Sequence, residues 1–320
     1  MQWNVLGTGA IGCLLASQLR LQKLNVNLLL RSQQHLKDFQ ARKNTITYEC
    51  QGKTTEIDGF TASVLGDKNI PLIENLVVAT KAHHTAEALG SVVGHLKSDS
   101  SVLLLQNGMG IVEELESKYW SQQQHPRLFI GVNRHAAERL APFHIIHHSG
   151  WNDPEGGLMM GEYGKQTEPS PLAQTLQDIP IMQAITLSWQ DLYSRMLKKL
   201  VVNATINPVA SILNIKNGGL VDDNPHAIRL MHRVCEEVIA ILGDDMPGET
   251  AASLIDMVIT SCRVAAGNTC SMLQDIKAGR KTEINYINGY LCRLAKTRGI
   301  DCPTNMDLVD LILAKEKFYQ

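Results

Sequence analysis

The sequence predicts an α/β protein, with a doubly wound parallel sheet in its N-terminal part followed by an all-α C-terminal domain. Three observations predict it. The hexapeptide Gly7-Thr8-Gly9-Ala10-Ile11-Gly12 follows a short apolar run directly and opens an amphipathic stretch. Continuous apolar runs recur at Leu28–Leu30, Leu76–Thr80 and Val102–Gln106, as expected of strands covered on both faces. From about Thr186 the texture changes to helical periodicities separated by Gly, Pro and Asp.

Taken in order, Trp3–Leu6 reads as a strand, Ala10–Leu21 as a helix beginning in the glycine turn, and Asn25–Leu30 as the next strand. The runs at 76–80 and 102–106 are two further strands of the same βαβ series. Phe129–Val132, Phe143–His147 and Leu158–Gly161 are expected to add strands at the far edge of that sheet. Pro169, Pro171 and Pro180 precede the change of texture, so the boundary falls near 187: residues 1–187 form a Rossmann-type domain and 188–320 a helical one. In the second part the patterns predict helices over 192–203, 225–243, 249–265, 271–278, 283–298 and 305–318. The 283–298 stretch has the cleanest period, with Ile284, Ile287, Leu291 and Leu294 apolar and Gly299 as its stop.

The chain has 320 residues and 44% hydrophobic residues, enough for two cores. Its net charge of −2, with signs interspersed, provides no electrostatic footprint for nucleic acid or an anionic membrane. The pair Lys198–Lys199 is too short to make a basic patch. No apolar run approaches the ~18 residues of a membrane span, and the first residues lack the pattern of a secretory signal. Seven dispersed cysteines, never in a CxxC, read as reduced thiols of a cytoplasmic protein.

In the Gly7–Gly12 turn, glycines permit a tight bend and the close approach of a pyrophosphate to helix N-terminal amides. Read alone, the same turn could serve only helix–strand packing. The end of the second strand selects among dinucleotides. A site for the unphosphorylated ribose usually places Asp or Glu there, whereas this chain has Arg31, then Ser32, and no acid until Asp38. A guanidinium pairs with a 2′-phosphate bidentately, so the pattern reads as NADP(H), with a solvated strand-end cation as the plain alternative. Lys81 and Asn107 follow two later strands and so reach the same carboxyl rim.

Lys199, Asn203 and Asn207 stand at i, i+4 and i+8 in KLVVNATINP, with apolar residues between them. They share one face of a buried helix, and buried polar groups need partners. A polar ligand cleft with a proton donor supplies them, and a polar helix–helix contact is the alternative. A lysine, protonated at neutrality with an unperturbed pKa of about 10.4, suits protonation of a ketone oxygen beside a nicotinamide. Pro208 disfavours helical geometry at Asn207, so the helix is expected to end or kink there. Ser271 and Asp275 share a second helical face. Ser271 reads equally as a carboxylate donor or a helix cap, and Glu283 as a proton-handling group or a first-turn acid. The eleven histidines, including His83-His84 and His144 to His148, carry no metal-ligand spacing.

The segments VLGTGAIG, LLLRS, ATKAH, LLQNGMG, KLVVNATINPVASI and SMLQDIKAGRKTEINYINGY together resemble the ketopantoate reductase family along nearly the whole chain. The resemblance implies NADPH-dependent reduction of 2-dehydropantoate to (R)-pantoate, a step toward pantothenate and coenzyme A. It implies that Lys199 is the general acid and that Glu283 reaches the cofactor and supports catalysis. Asn203, Asn207 and Asn217 would line the substrate pocket, with Ser271 binding substrate. Asn107 would lie at the cofactor–substrate junction. Cofactor contacts fall to Gly7, Thr8, Gly9, Ala10, Ile11 and Gly12, to Arg31 and Lys81 at the adenosine phosphate, and to Ala137 in a turn beside the nicotinamide. One departure is Asn285, where the family commonly has Asp, removing a charge two residues from Glu283. The expected partner is a small 2-oxoacid, with no nucleic acid, membrane or metal, in a monomer or homodimer. A reductase of another 2-oxoacid and an NADPH-binding sensor without turnover are the rivals. The sensor would be expected to lose Lys199 or Glu283, and both are present.

Overall fold

The computed structural model describes residues 2–120, 125–165 and 168–319. The chain forms two compact units, one of Met1–Gln106 with Ile111–Leu192 and the other of Asn107–Gly110 with Tyr193–Gln320.

In the first unit, β1 (Gln2–Leu6) leads through α1 (Ala10–Leu21) to β2 (Asn25–Leu30), and α2 (Gln33–Ala41) follows. Then come β3 (Ile46–Cys50), β4 (Lys53–Ile57) and β5 (Thr61–Val64). The chain continues through β6 (Ile73–Val78), α3 (Ala82–Gly90), β7 (Leu96–Leu104), α4 (Ile111–Leu115) and β8 (Arg127–Asn133). The unit closes with β9 (Ala136–Ala141), β10 (His144–Ser149), β11 (Leu158–Glu162), α5 (Pro171–Gln177) and β12 (Ala184–Thr186). Eight strands make one sheet in the order β12-β11-β8-β7-β6-β1-β2-β5. Its neighbours from β5 through β8 are parallel, while β11 runs antiparallel to β8. The chain moves outward from β1 to β2 and β5, then returns to pair β6 on the other side of β1. That reversal creates the crevice at the strands' carboxyl ends where ligands of such sheets bind. Buried Val5, Leu28, Val77 and Leu103 on four adjacent strands show why the predicted strands read as continuous apolar runs.

The 143–147 run is a strand, but not one at the edge of this sheet. β10 pairs in parallel with β3, and a separate four-stranded sheet of order β4-β3-β10-β9 packs on α1. Apolar periodicity identifies a strand without naming its neighbour, and β3 lies about a hundred residues earlier in the chain. The partner there is confirmed by a buried contact, Tyr48 hydroxyl to His147 Nδ1, 2.9 Å.

The second unit is helical. It contains α6 (Trp189–Leu213) from Tyr193 onward, α7 (Pro225–Leu242), α8 (Ala251–Val264), α9 (Ser271–Lys277), α10 (Asn288–Arg298) and α11 (Pro303–Tyr319). Local chemistry sets several ends. Asn224 caps α7 by accepting from the Ala227 amide, with Pro225 at the first helical position. Thr250 and Ser253 form a reciprocal capping box on α8. Gly299, at φ +68°, ends α10 in the left-handed region. The core includes Leu200, Val201, Ala204, Met231, Val238, Leu254, Val258, Leu291 and Ile312, all buried. Two sequence expectations change here. The helix carrying Lys199 continues through Pro208 to Leu213 rather than ending near Asn207. The 283–298 stretch breaks into a single turn at Ile284–Tyr286 and then α10, because Ile287 leaves the helical region at ψ −94°. No described helix is long and apolar enough to cross a membrane.

Candidate functional site

In the first unit the glycines divide their labour. Gly7 has φ +100°, and a Cβ there would lie 2.7 Å from the Ala79 carbonyl carbon and the Thr80 nitrogen. A Cβ on Gly12 would lie 1.8 Å from the Gly7 carbonyl oxygen. These two therefore let the β1–α1 turn close on itself and on the β6–α3 turn. At Gly9, by contrast, a Cβ would meet nothing within 4 Å. Gly9 is the N-cap of α1, with no side-chain cap and no acid in the first turn. Space above a glycine at an uncapped helix N-terminus fits a pyrophosphate. Thr8 is buried, whereas Ala10 and Ile11 are partly exposed.

Arg31 is exposed immediately after β2. The neighbouring Ser32 caps α2 by accepting from the His35 amide, 3.2 Å, and Asp38 is bonded to Gln34 at 2.8 Å. No acid stands in the first turn of α2. Lys81 is the N-cap residue of α3, half-buried, and its carbonyl accepts from the Thr85 hydroxyl. Because the Thr85 proton is used there, Thr80 is the donor in the 2.8 Å contact between the two hydroxyls. Gln106 ties the next strand end to this turn, donating to the carbonyls of Val78 at 2.9 Å and Thr80 at 3.3 Å. Arg134 and His135 link β8 to β9, and Ala137 lies in β9, paired to β10, rather than in the expected turn. Ala137 pairs with His147 and its side chain packs on the apolar core of this unit.

In the second unit, α6 carries Lys199 and Asn203, both half-buried, and Asn207, buried. Lys198 points elsewhere, pairing with Glu249 at 2.9 Å. Asn217 begins the short turn Asn217–Leu220 and is buried, and its Oδ1 has no hydrogen-bond partner among the described residues. A buried acceptor without a donor is costly unless a ligand supplies one. Ser271 is exposed at the first position of α9, where Cys270 is the N-cap, so it is not the cap. Asp275, on the same face, is buried and pairs with Arg280 at 3.0 Å.

Asn107 and Glu283 are brought together: Asn107 Nδ2 donates to Glu283 Oε2 at 3.3 Å, and Glu283 is buried. The backbone fixes this contact. Met109 N donates to Tyr286 O at 2.8 Å, and Gly108 sits at φ +83°, where a Cβ would fall 2.2 Å from the same carbonyl oxygen. Gly108 and Tyr286 were not anticipated as site-building residues. The glycine in Asn-Gly-Met-Gly was the available signal, since a glycine after a polar strand end marks close backbone approach. Asn285 is exposed.

Nine of the eleven histidines lie in the first unit, and His226 and His232 lie on α7. Among them a buried chain runs from the Tyr48 hydroxyl to His147 Nδ1, from His147 Nε2 to His135 Nδ1 at 3.1 Å, and from His135 Nε2 to the Met182 carbonyl at 3.0 Å. A carbonyl only accepts, so His135 carries its proton on Nε2, His147 on Nε2, and Tyr48 donates. Burial holds both imidazoles neutral, lowering His135 below the usual histidine range and His147 to about 4. Among the described residues no group of three or more His, Cys, Asp or Glu is placed to hold a metal ion. No disulfide joins the cysteines, and burial pushes the Cys13 thiol up to about 12.

Two family models match this chain: ketopantoate reductase PanE/ApbA over residues 3–162, and ketopantoate reductase PanE/ApbA C terminal over residues 191–316. The chain belongs to the ketopantoate reductase family. It is 33% identical to 2-dehydropantoate 2-reductase of Shigella flexneri, covering 100% of this chain and 97% of that protein. The corresponding enzyme of Archaeoglobus fulgidus is 30% identical, with 98% of this chain and 97% of that protein covered. Among solved structures, D-mandelate dehydrogenase with NADH and anilino(oxo)acetate has a TM-score of 0.84 at 21% identity, covering 100% of this chain and 99% of that one. The PanE/ApbA family ketopantoate reductase of Ralstonia eutropha JMP134 has a TM-score of 0.80 at 23% identity, with both chains fully covered. These two structural matches bear on the fold.

Proposed function

We propose that this protein is an NADPH-dependent 2-dehydropantoate 2-reductase, reducing the ketone of 2-dehydropantoate to the alcohol of (R)-pantoate. The observation that carries the reading is the polar face of α6, where Lys199, Asn203 and Asn207 succeed one another on a helix whose Leu200, Val201, Ala204 and Ile206 are buried in the apolar core. Residues 1–187 hold the cofactor and residues 188–320 hold the 2-oxoacid, with Asn107 serving both. The open space at Gly9 and the uncapped start of α1 fit a dinucleotide, and Thr8, Ala10 and Ile11 line that turn. NADPH, when bound, supplies the hydride.

The chain's own residues do the rest. Gly7 and Gly12 close the turn, Arg31 and Lys81 would hold the adenosine phosphate, and the Ala137 backbone would hold the nicotinamide. An arginine without a competing acid favours the 2′-phosphate over bare ribose hydroxyls. The Lys199 ammonium bonds the ketone oxygen, stabilises negative charge developing there, and gives that oxygen its proton. Asn203 and Asn207 orient the substrate from successive turns, and Ser271 donates to its carboxylate. In 2-dehydropantoate the hydroxyl is the group able to donate at neutral pH, and the unpartnered Asn217 Oδ1 is a matching acceptor. Glu283, bonded to Asn107, fixes that amide between cofactor and substrate and supports proton handling at Lys199.

The test is loss of reduced-nicotinamide absorbance with 2-dehydropantoate, comparing NADPH and NADH in one purified sample. Rapid oxidation of NADPH and slow oxidation of NADH is expected. Equal use of both would remove the phosphate role of Arg31, and binding of NADPH without turnover would point to another 2-oxoacid or to the sensor.

A further inference from the structure

Pro208 lies inside α6 and has no N–H, so the Ala204 carbonyl four residues earlier lacks its helical donor. That carbonyl belongs to the turn that carries Asn203 and Asn207. It is not left bare. Asn288 Nδ2, from the first residue of α10, donates to Ala204 O at 2.9 Å, and both groups are buried. The other proton of the same amide goes to Asn305 Oδ1, also at 2.9 Å.

The orientation of this amide is dictated from further back. Glu237 accepts from Asn305 Nδ2 at 2.7 Å and from the backbone amides of Thr304 and Asn305. A carboxylate facing these donors forces Asn305 to present Oδ1 to Asn288, which must then present Nδ2. A flipped Asn288 would set oxygen against the Ala204 carbonyl and against Asn305 Oδ1. The relay from Glu237 through Asn305 therefore leaves one arrangement, in which both Asn288 protons are used. Asn288 also follows Glu283 by one short turn, so the same contact ties the Glu283 segment to α6.

We infer that Asn288 is a positioning residue for the reaction, supplying the donor that Pro208 withholds and so fixing the Asn203–Asn207 turn of α6 relative to Lys199 and Glu283. It acts through α6 and touches neither substrate nor cofactor. This rests on the reading of α6 as the substrate and proton-donor helix.

The test is a cycle of wild type, Asn288→Ala, Pro208→Ala and the double variant. In Asn288→Ala the KM for 2-dehydropantoate should rise about tenfold, as expected for an unsatisfied buried acceptor, with the KM for NADPH unchanged. Hydrogen exchange across residues 199–213, read in the ligand-free protein, should quicken. In the double variant a backbone N–H at 208 again faces Ala204 O, so substrate KM and exchange should both return toward the Pro208→Ala values. A substrate KM unaltered by Asn288→Ala, with rate lost only in proportion to folded protein, would overturn the inference. A double variant as impaired as the single one, or neither variant folding, would overturn it too, because the contact that mattered would be the one to Asn305. A wild type without 2-dehydropantoate turnover would instead overturn the functional reading, and exchange rates would still decide the role of Asn288.

Discussion

In the Gly7–Gly12 turn, geometry comes from side chains that are missing; in α6 it comes from side chains that are present and from the partners that hold them. Gly12 has no room for a methyl group and Gly9 has nothing but room, within one turn of chain. Lys199, Asn203 and Asn207 sit on α6, which continues through Pro208 with an amide from α10 bonded to the Ala204 carbonyl. A backbone-built site is recorded locally, so a short motif reveals it. A side-chain-built site depends on residues far along the chain, and its motif shows only the surface of what makes it work.

Four experiments press on that contrast. The largest effect is expected at the side-chain site: Lys199→Ala should lower turnover by about 10²- to 10⁴-fold, the range for a lost general acid, with NADPH affinity nearly unchanged. Steady-state rates beside NADPH fluorescence titration would show it, and an unchanged rate would remove Lys199 from the mechanism.

Next come the glycines. Gly12→Ala forces a Cβ against the Gly7 backbone and should cost about 1–3 kcal/mol of stability, together with loss of NADPH binding. Gly9→Ala should leave the melting temperature in place and weaken NADPH alone. Equal melting losses in the two variants would erase the distinction between a packing glycine and a ligand-facing one.

Arg31→Ala should reduce the preference for NADPH over NADH by about ten- to a hundredfold, corresponding to a charge-assisted hydrogen bond of about 1.5–3 kcal/mol. Isothermal titration with each nucleotide measures it, and an unaltered ratio would pass the phosphate to other residues.

The smallest effect concerns the histidine chain behind β9. His147 is held neutral to about pH 4 in the folded protein, while the unfolded chain takes up a proton near the ordinary histidine value of about 6.5. Its contribution is thus complete above about 6.5 and declines as pH falls toward 4. Urea midpoints should drop between pH 7 and pH 5 in the wild type, and drop less in His147→Gln. Parallel declines in both proteins would contradict the burial argument.

Much of the candidate site was legible because its polar residues and glycines recur with a helical or strand period. The glycine turn, the strand ends at Arg31 and Lys81, and the α6 face all follow from spacing. Asn217, Ser271 and Glu283 were not distinguishable by spacing from caps and surface polars, and entered through resemblance alone. The structure then gave Asn217 an unpartnered buried oxygen and Glu283 a bond to Asn107. Pro208 reads as an end or a kink because the residue before proline avoids the helical region, a local rule that does not stop α6 short of Leu213. The second sheet escaped for the same reason, since the parallel partner of β10 lies in an early part of the chain that spacing does not connect to it.

The bond between Asn107 and Glu283 spans 176 residues of sequence, and the Met109 amide waits for Tyr286 over a similar interval. On a ribosome adding about 5–20 residues per second, that interval is roughly 9–35 s. During synthesis the Asn107–Gly110 loop must therefore remain soluble and uncommitted, with Met109 lacking its eventual apolar surroundings. The glycines on either side of Met109 let the loop stay supple through that delay and then accept a backbone placement that a bulkier residue at 108 would refuse.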